Sequence, residues 1–144
     1  MPATEIIYTV GYEGRDLQEF IALLKNAGIP TLVDTRLRAH SRKTGFSKTA
    51  LSATLASSGI NYIHRKDLGT PPELMQVLKE TGEYEMDEYA RHLDMHHGIV
   101  EAAAEEFGGK TIALLCYERE ANKCHRSVLA QRIAKITKAQ VKHL

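Results

Sequence analysis

The chain has 144 residues, 43% hydrophobic and 26% charged, with a formal net charge of +1. That length fits one domain, residues 1–144, able to bury a sizeable core without disulfides or a structural metal, and the composition excludes a disordered chain. No apolar run approaches the roughly 18 residues of a membrane span, the start lacks an export signal, and two cysteines do not make a disulfide scaffold, so a cytoplasmic protein with no membrane partner is expected.

Glu5-Ile-Ile-Tyr-Thr-Val-Gly11 is a β-rich run that predicts the first strand. Asp16 is placed to cap a helix whose apolar residues Leu17, Phe20, Ile21 and Leu24 follow helical spacing, with Gly28 as its stop. Thr31–Thr35 predicts a second strand. A basic loop follows, then a helix capped by Ser47 that runs through Leu51 and Leu55 to Gly59. Ile60–His64 predicts a third strand.

Pro71-Pro72 opens a helix to about Thr81, and one longer helix is expected from Met86 to Phe107, ended by Gly108-Gly109. Thr111–Cys116 is a continuous apolar run, as in a central strand covered on both faces. A last helix over His125–Lys138 and an edge strand over Val141–Leu144 complete the chain. Strands alternating with helices imply a three-layer, Rossmann-like or flavodoxin-like α/β sandwich with a mostly parallel sheet of about five strands.

Charge is unevenly spread. Glu73–Glu106 holds ten acids and two bases, a net −8, which leaves +9 elsewhere. Arg36, Arg38, Arg42 and Lys43 form the densest basic stretch. Such a field attracts phosphate, carboxylate or nucleic acid, and acidic helices that neutralise it within the fold or across a homo-oligomer interface are an equal alternative.

Ligands of open α/β sheets bind beyond the carboxyl ends of the strands. The unusual polar residues gather at those ends: Gly11-Tyr-Glu-Gly-Arg15 after strand 1; Asp34, Arg36, Arg38, Ser41 and Arg42 around strand 2; His64, Arg65 and Leu68-Gly69 after strand 3; and Cys116, Glu118, Cys124, His125 and Arg126 after strand 4.

In this order Gly11-Tyr-Glu-Gly, Leu32-Val-Asp-Thr-Arg36, Ser41-Arg42 with Gly45-Phe46, Gly59-Ile-Asn-Tyr62, Leu68-Gly69, Leu114-Leu-Cys-Tyr-Glu118 and Cys124-His-Arg126 resemble the Domain of Unknown Function 488 family across nearly the whole chain. The Leu-Cys-x-Glu segment followed closely by Cys-His-Arg is the most specific part. Ala39-His40 departs from the family, whose members often carry a proline just before the Ser-Arg pair. The resemblance implies a small cytosolic α/β protein with a polar pocket and no established reaction; some relatives carry DNA-repair labels.

Cys124 is the leading candidate nucleophile. At the entry of the last helix, beside Lys123, His125 and Arg126, its thiolate would be favoured; the competing reading is a small residue packed under the helix start. Cys116 is expected to be buried and inert, although a reversible Cys116–Cys124 disulfide is conceivable across eight positions. The two cysteines with His64 or His125 could hold a metal, but without a Cys-x-x-Cys pair or a second ligand cluster no metal is expected, and the sequence names no cofactor.

His125 and Glu118 are candidates for moving protons. Nearby arginines are expected to hold Glu118 low, which suits an orienting role better than that of a base. Arg42 and Arg126 are the candidates for direct anion contact. Asp34 with Arg36 reads either as an anion site or as an internal ion pair. His64 and Tyr12 join the binding set, and Tyr62 and Tyr117 offer stacking faces. His92 and His96, four apart on an acidic helix, read as a solvated face, and Gly11-x-x-Gly14 as a turn.

The favoured function is an enzyme acting on a nucleotide or other small phosphorylated ligand. The alternatives are a nucleic-acid-binding module, DNA-repair-related if the family labels hold, and a non-catalytic sensor or adaptor whose acidic helices bind a partner.

Overall fold

The computed structural model describes residues 5–39, 41–82, 86–120 and 124–144. His40 and Lys123 lie outside them, and so do Glu83 and Glu85 of the acidic stretch. Five strands form one sheet: β1 (Ile6–Gly11), β2 (Thr31–Asp34), β3 (Asn61–His64), β4 (Ile112–Cys116) and β5 (Gln140–His143). Their order is β3-β2-β4-β1-β5, and every pairing is parallel. The helices are α1 (Leu17–Asn26), α2 (Lys48–Ser57), α3 (Pro72–Thr81), α4 (Met86–Met95), α5 (His97–Phe107) and α6 (His125–Thr137).

Alternation along the strands builds the layers, because successive side chains point to opposite faces. Ile112 and Leu114 of β4 join Tyr89, Leu93, Phe107, Leu129 and Ile133 of α4, α5 and α6 in one core. Ala113 and Leu115 join Phe20, Leu24, Leu51 and Leu55 of α1 and α2 in the other. The result is the expected three-layer Rossmann-like sandwich. Among the described residues no helix is long and apolar enough to cross a membrane.

Local chemistry sets most boundaries. Asp16 accepts a hydrogen bond from the Glu19 backbone N–H at 2.8 Å and starts α1. Gly28 follows its end at φ 69°, a left-handed conformation that glycine adopts without steric cost. Ser47 precedes α2 as expected but gives it no side-chain cap; its hydroxyl donates instead to the Ser41 carbonyl at 3.0 Å and closes the basic loop.

The single long helix expected over Met86–Phe107 is two helices. His96 leaves helical geometry, with φ −122° and ψ 49°, and Gly98 lies in the first turn of α5. Glycine makes that stretch a poor helix interior, and the two pieces present separate apolar faces, Tyr89 and Leu93 from α4 and Val100, Ala103, Ala104 and Phe107 from α5.

Two acids of the acidic helices pair with bases inside the fold. Arg132 of α6 pairs with Asp94, and Arg65 pairs with Glu106 and, at 3.0 Å, with Asp67. These pairs reach solvent and contribute little stability each.

Candidate functional site

The chain leaves β1 and β2 toward the α1/α2 layer but leaves β4, which lies between them, toward α6 on the opposite layer. Loops that diverge in this way open a crevice at the carboxyl ends of the strands. A cavity of about 460 Å³ lies there. Tyr12, Leu37, Pro72, Met75 and Leu78 supply apolar wall. Arg36, Arg38, Thr70, Gln76, Lys79, Cys116, Tyr117, Glu118 and His125 supply polar groups.

Asp34 and Arg36, two apart at the end of β2, close a fork on each other. Arg36 Nε donates to Asp34 Oδ1 at 2.9 Å and Nη2 donates to Oδ2 at 2.7 Å. The Arg36 backbone N–H donates to Oδ1 at 3.0 Å, and the Tyr62 hydroxyl donates to Oδ2 at 2.5 Å. Arg36 Nη1 reaches the Phe46 carbonyl at 2.6 Å and Tyr12 Oη at 3.4 Å. Of the two readings open in the sequence, the internal ion pair is the arrangement found. Burial alone would lower the Arg36 pKa, but the hydrogen bond and charge of Asp34 outweigh it and hold the guanidinium more firmly protonated. Burial, with the Asp34 hydrogen bond, pushes the Tyr62 phenol up.

The other candidates for anion contact lie as follows. His64 Nε2 bonds to the Arg36 carbonyl at 2.8 Å and ties β3 to the β2 loop. Arg42 is exposed on the basic loop and does not line the cavity. Arg126 is 0% exposed, outside the cavity lining, and donates through Nη1 to the Glu118 carbonyl and through Nη2 to the Arg119 carbonyl at 3.0 Å. Its Nε has no hydrogen-bond partner among the described residues. Burial, helped by the charge of Arg15 and opposed by Glu118, lowers its pKa to about 10. Arg126, a candidate for anion contact, holds the backbone at Glu118 and Arg119 through these bonds. Tyr12 stacks on Phe46 with centroids 4.7 Å apart, and Tyr117, 48% exposed, stands edge-on to Tyr12 at the rim.

Cys116 is buried, as expected, and so is Cys124. They are joined as a disulfide. Cys116, expected to be inert, ends β4 in the cavity wall, whereas Cys124 is 0% exposed at the N-cap of α6 and does not reach the cavity. The reason is topological: β4 delivers its last residue to the crevice, while Cys124 is held at the buried start of α6.

His125 packs against the same sulfurs. The Thr35 hydroxyl donates its one proton to the Leu115 carbonyl at 2.7 Å, so its oxygen, 3.0 Å from His125 Nε2, accepts. The ring proton therefore sits on Nε2. The Nδ1 lone pair faces Thr70 Oγ1 at 3.3 Å and each cysteine sulfur at 3.6 Å. Burial, then the charge of Arg126, lowers the His125 pKa to about 3, with Thr35 opposing. Glu118 Oε2 lies 3.2 Å from Cys116 Sγ. The Glu118 pKa is raised, not lowered: burial outweighs the attraction of Arg126.

Thr35, Thr70 and Lys79 were missed in the sequence. Thr35 and Thr70 adjoin strand-end motifs, a signal that was legible. Lys79 reaches the cavity only because α3 folds over it. His92 and His96 have rings 4.9 Å apart, and burial followed by the neighbouring His96 lowers the His92 pKa.

The buried imidazole predicts a pH dependence. Unfolding lets His125 return from about 3 to its ordinary 6.5, so the unfolded chain binds more protons between these values. The stability contribution is fully present above pH 6.5 and is lost as pH falls toward 3, with a slope up to about 1.4 kcal/mol per pH unit. Glu118, raised from 4.5, works in the opposite sense, and the lowered His92 and His143 add to the fall. Urea titrations from pH 7.5 to 5 should show this fall flattened in His125→Gln; parallel profiles would remove His125 as its main source.

The model of a family described as Domain of unknown function DUF488 matches residues 16–133. No curated protein and no solved structure matches the chain.

Proposed function

Starting from a chain that belongs to the DUF488 family, we propose that it is an enzyme exchanging thiols and disulfides with a small anionic substrate through Cys116 and Cys124. One observation carries this reading: a cysteine pair with one sulfur in a cavity wall and the other sealed behind it. In the reduced pair Glu118, 3.2 Å away and raised by burial, takes the Cys116 proton. The thiolate attacks one sulfur of a small disulfide, forming a mixed disulfide and releasing one substrate thiolate. Cys124 then attacks Cys116 Sγ and releases the second. Two electrons pass to substrate, and a thiol reductant restores the pair.

The cavity volume falls in the range of small-molecule sites. Arg38 and Lys79 supply positive charge for an acidic group, and Met75, Leu78 and Tyr12 supply contact for the rest of the ligand.

Alkylation of the reduced protein tests the reading. Cys116 should react at least tenfold faster than Cys124, and a small acidic disulfide should oxidise the pair one for one. Equal, slow rates without oxidation would sink the proposal. Protection by a nucleotide or phosphate without oxidation would return the site to a phosphorylated ligand. Protection only by a single-stranded oligonucleotide, lost as salt rises, would move the function to nucleic-acid binding.

A further inference from the structure

We infer that the same cluster, once reduced, is a binding site for a thiophilic divalent cation of the zinc type, held by Cys116 Sγ, Cys124 Sγ and His125 Nδ1. The inference rests on the reading that this pair is reducible in the folded protein. These three donor atoms lie within 4.8 Å of one another, and all three residues are buried. Both sulfur-to-Nδ1 distances are 3.6 Å. Zinc–sulfur bonds of about 2.3 Å and zinc–nitrogen bonds of about 2.05 Å at the tetrahedral angle require a sulfur–nitrogen edge of about 3.6 Å. Only the sulfur–sulfur edge must change, opening from a covalent bond to about 3.8 Å.

The imidazole is already set for a metal. A ligating nitrogen must carry a lone pair, and the partner nitrogen of a metal-bound histidine usually donates to a fixed acceptor. The chain from His125 Nε2–H to Thr35 Oγ1, and from the Thr35 hydroxyl to the Leu115 carbonyl, meets both conditions. The opposite tautomer would aim a proton at the sulfurs. Cys116, Thr70 and Glu118 line the cavity, so the fourth position of a tetrahedral ion opens where ligand enters, the arrangement of a catalytic rather than a closed structural site.

Disulfide and metal are then alternative states of one cluster. Reduction by a phosphine with one water gives two thiols and a phosphine oxide, and a divalent ion displaces the two thiol protons. An oxidising diazene takes two electrons from the thiolates and two protons from solvent, the sulfur–sulfur bond re-forms, and the ion leaves.

The test uses the full chain, reduced anaerobically with a phosphine that is then removed, its thiols counted, and Co²⁺ added. One equivalent should bind with thiolate-to-metal charge-transfer absorption and the intense visible bands of a tetrahedral ion. Zn²⁺ should displace it and protect both cysteines from alkylation, and the diazene should release the metal. Cys116→Ser should abolish the charge-transfer pattern of two thiolates. Thr35→Val, which leaves all three ligands in place, should weaken binding 10- to 100-fold by freeing the tautomer.

Two titratable thiols with no bound Co²⁺ would overturn the metal site and leave the exchange chemistry standing. Bound metal without oxidation by small disulfides would do the reverse. A folded protein that yields no thiols under the phosphine would overturn both. Unchanged affinity in Thr35→Val would remove Thr35 as a positioning residue, and a native far-ultraviolet spectrum of Cys116→Ser establishes that its loss is local.

Discussion

Asp34→Ala should lower stability by about 3–5 kcal/mol, the cost of leaving a buried guanidinium without its carboxylate. That is a large share of the 5–15 kcal/mol typical of a domain. Asp34 is 0% and Arg36 7% exposed, so solvent cannot replace the lost partner. The carboxylate also accepts the Arg36 backbone N–H and the Tyr62 hydroxyl, and its removal leaves those donors unsatisfied as well. Urea unfolding should report a lower midpoint at unchanged m-value. The double variant Asp34→Leu/Arg36→Met should recover part of the loss, because a buried pair replaced by apolar groups of similar volume leaves no orphaned charge, although the Arg36 backbone N–H and the Tyr62 hydroxyl still lack their acceptor. A loss below about 1 kcal/mol in Asp34→Ala would mean that the fork does not hold the β2 loop.

Gly11→Ala is expected to act on the site and the fold together. A Cβ at Gly11 would stand 1.8 Å from the Glu118 carbonyl oxygen and 2.5 Å from its carbon, where real Cβ contacts do not fall below 3.0 Å. Backbone must give way. The part that moves is the loop carrying Glu118 and Arg119, whose carbonyls Arg126 clamps. The cost should reach about 3 kcal/mol, the upper end of ordinary overpacking, and the rate advantage of Cys116 over Cys124 in alkylation should shrink. Gly28→Ala is the matching control. Nothing lies within 4 Å of its Cβ and only its positive φ is strained, so it should cost about 1–2 kcal/mol and leave the cysteines unchanged. Equal cysteine reactivity in native protein and Gly11→Ala would show that the loop does not depend on this close approach.

Much of this architecture was legible in the sequence because it is written in local rules. The alternation of Ile112 to Leu115, the helical spacing of Leu17 to Leu24, the Asp16 cap and the Gly28 stop each act over a few residues. They determined most of the elements and the parallel three-layer class. The Met86–Phe107 helix failed because its apolar line is continuous in sequence while the two halves pack as separate pieces.

Side-chain roles lay beyond local rules. Near Glu118 the sequence shows arginines, and their attraction predicts a low pKa; burial, which depends on the whole fold, reverses the sign. Arg126 looked free because no acid stands beside it in sequence, but its partners are the backbone carbonyls of a loop that folds over it. Cys116 and Cys124 are eight positions apart, and which of them meets the cavity depends on how β4 and α6 pack together. Periodicity and capping are properties of the chain, so the sequence alone determined most of the elements and the parallel three-layer class. Desolvation, partner choice and exposure are properties of packing among distant segments, and only the tertiary structure decided them.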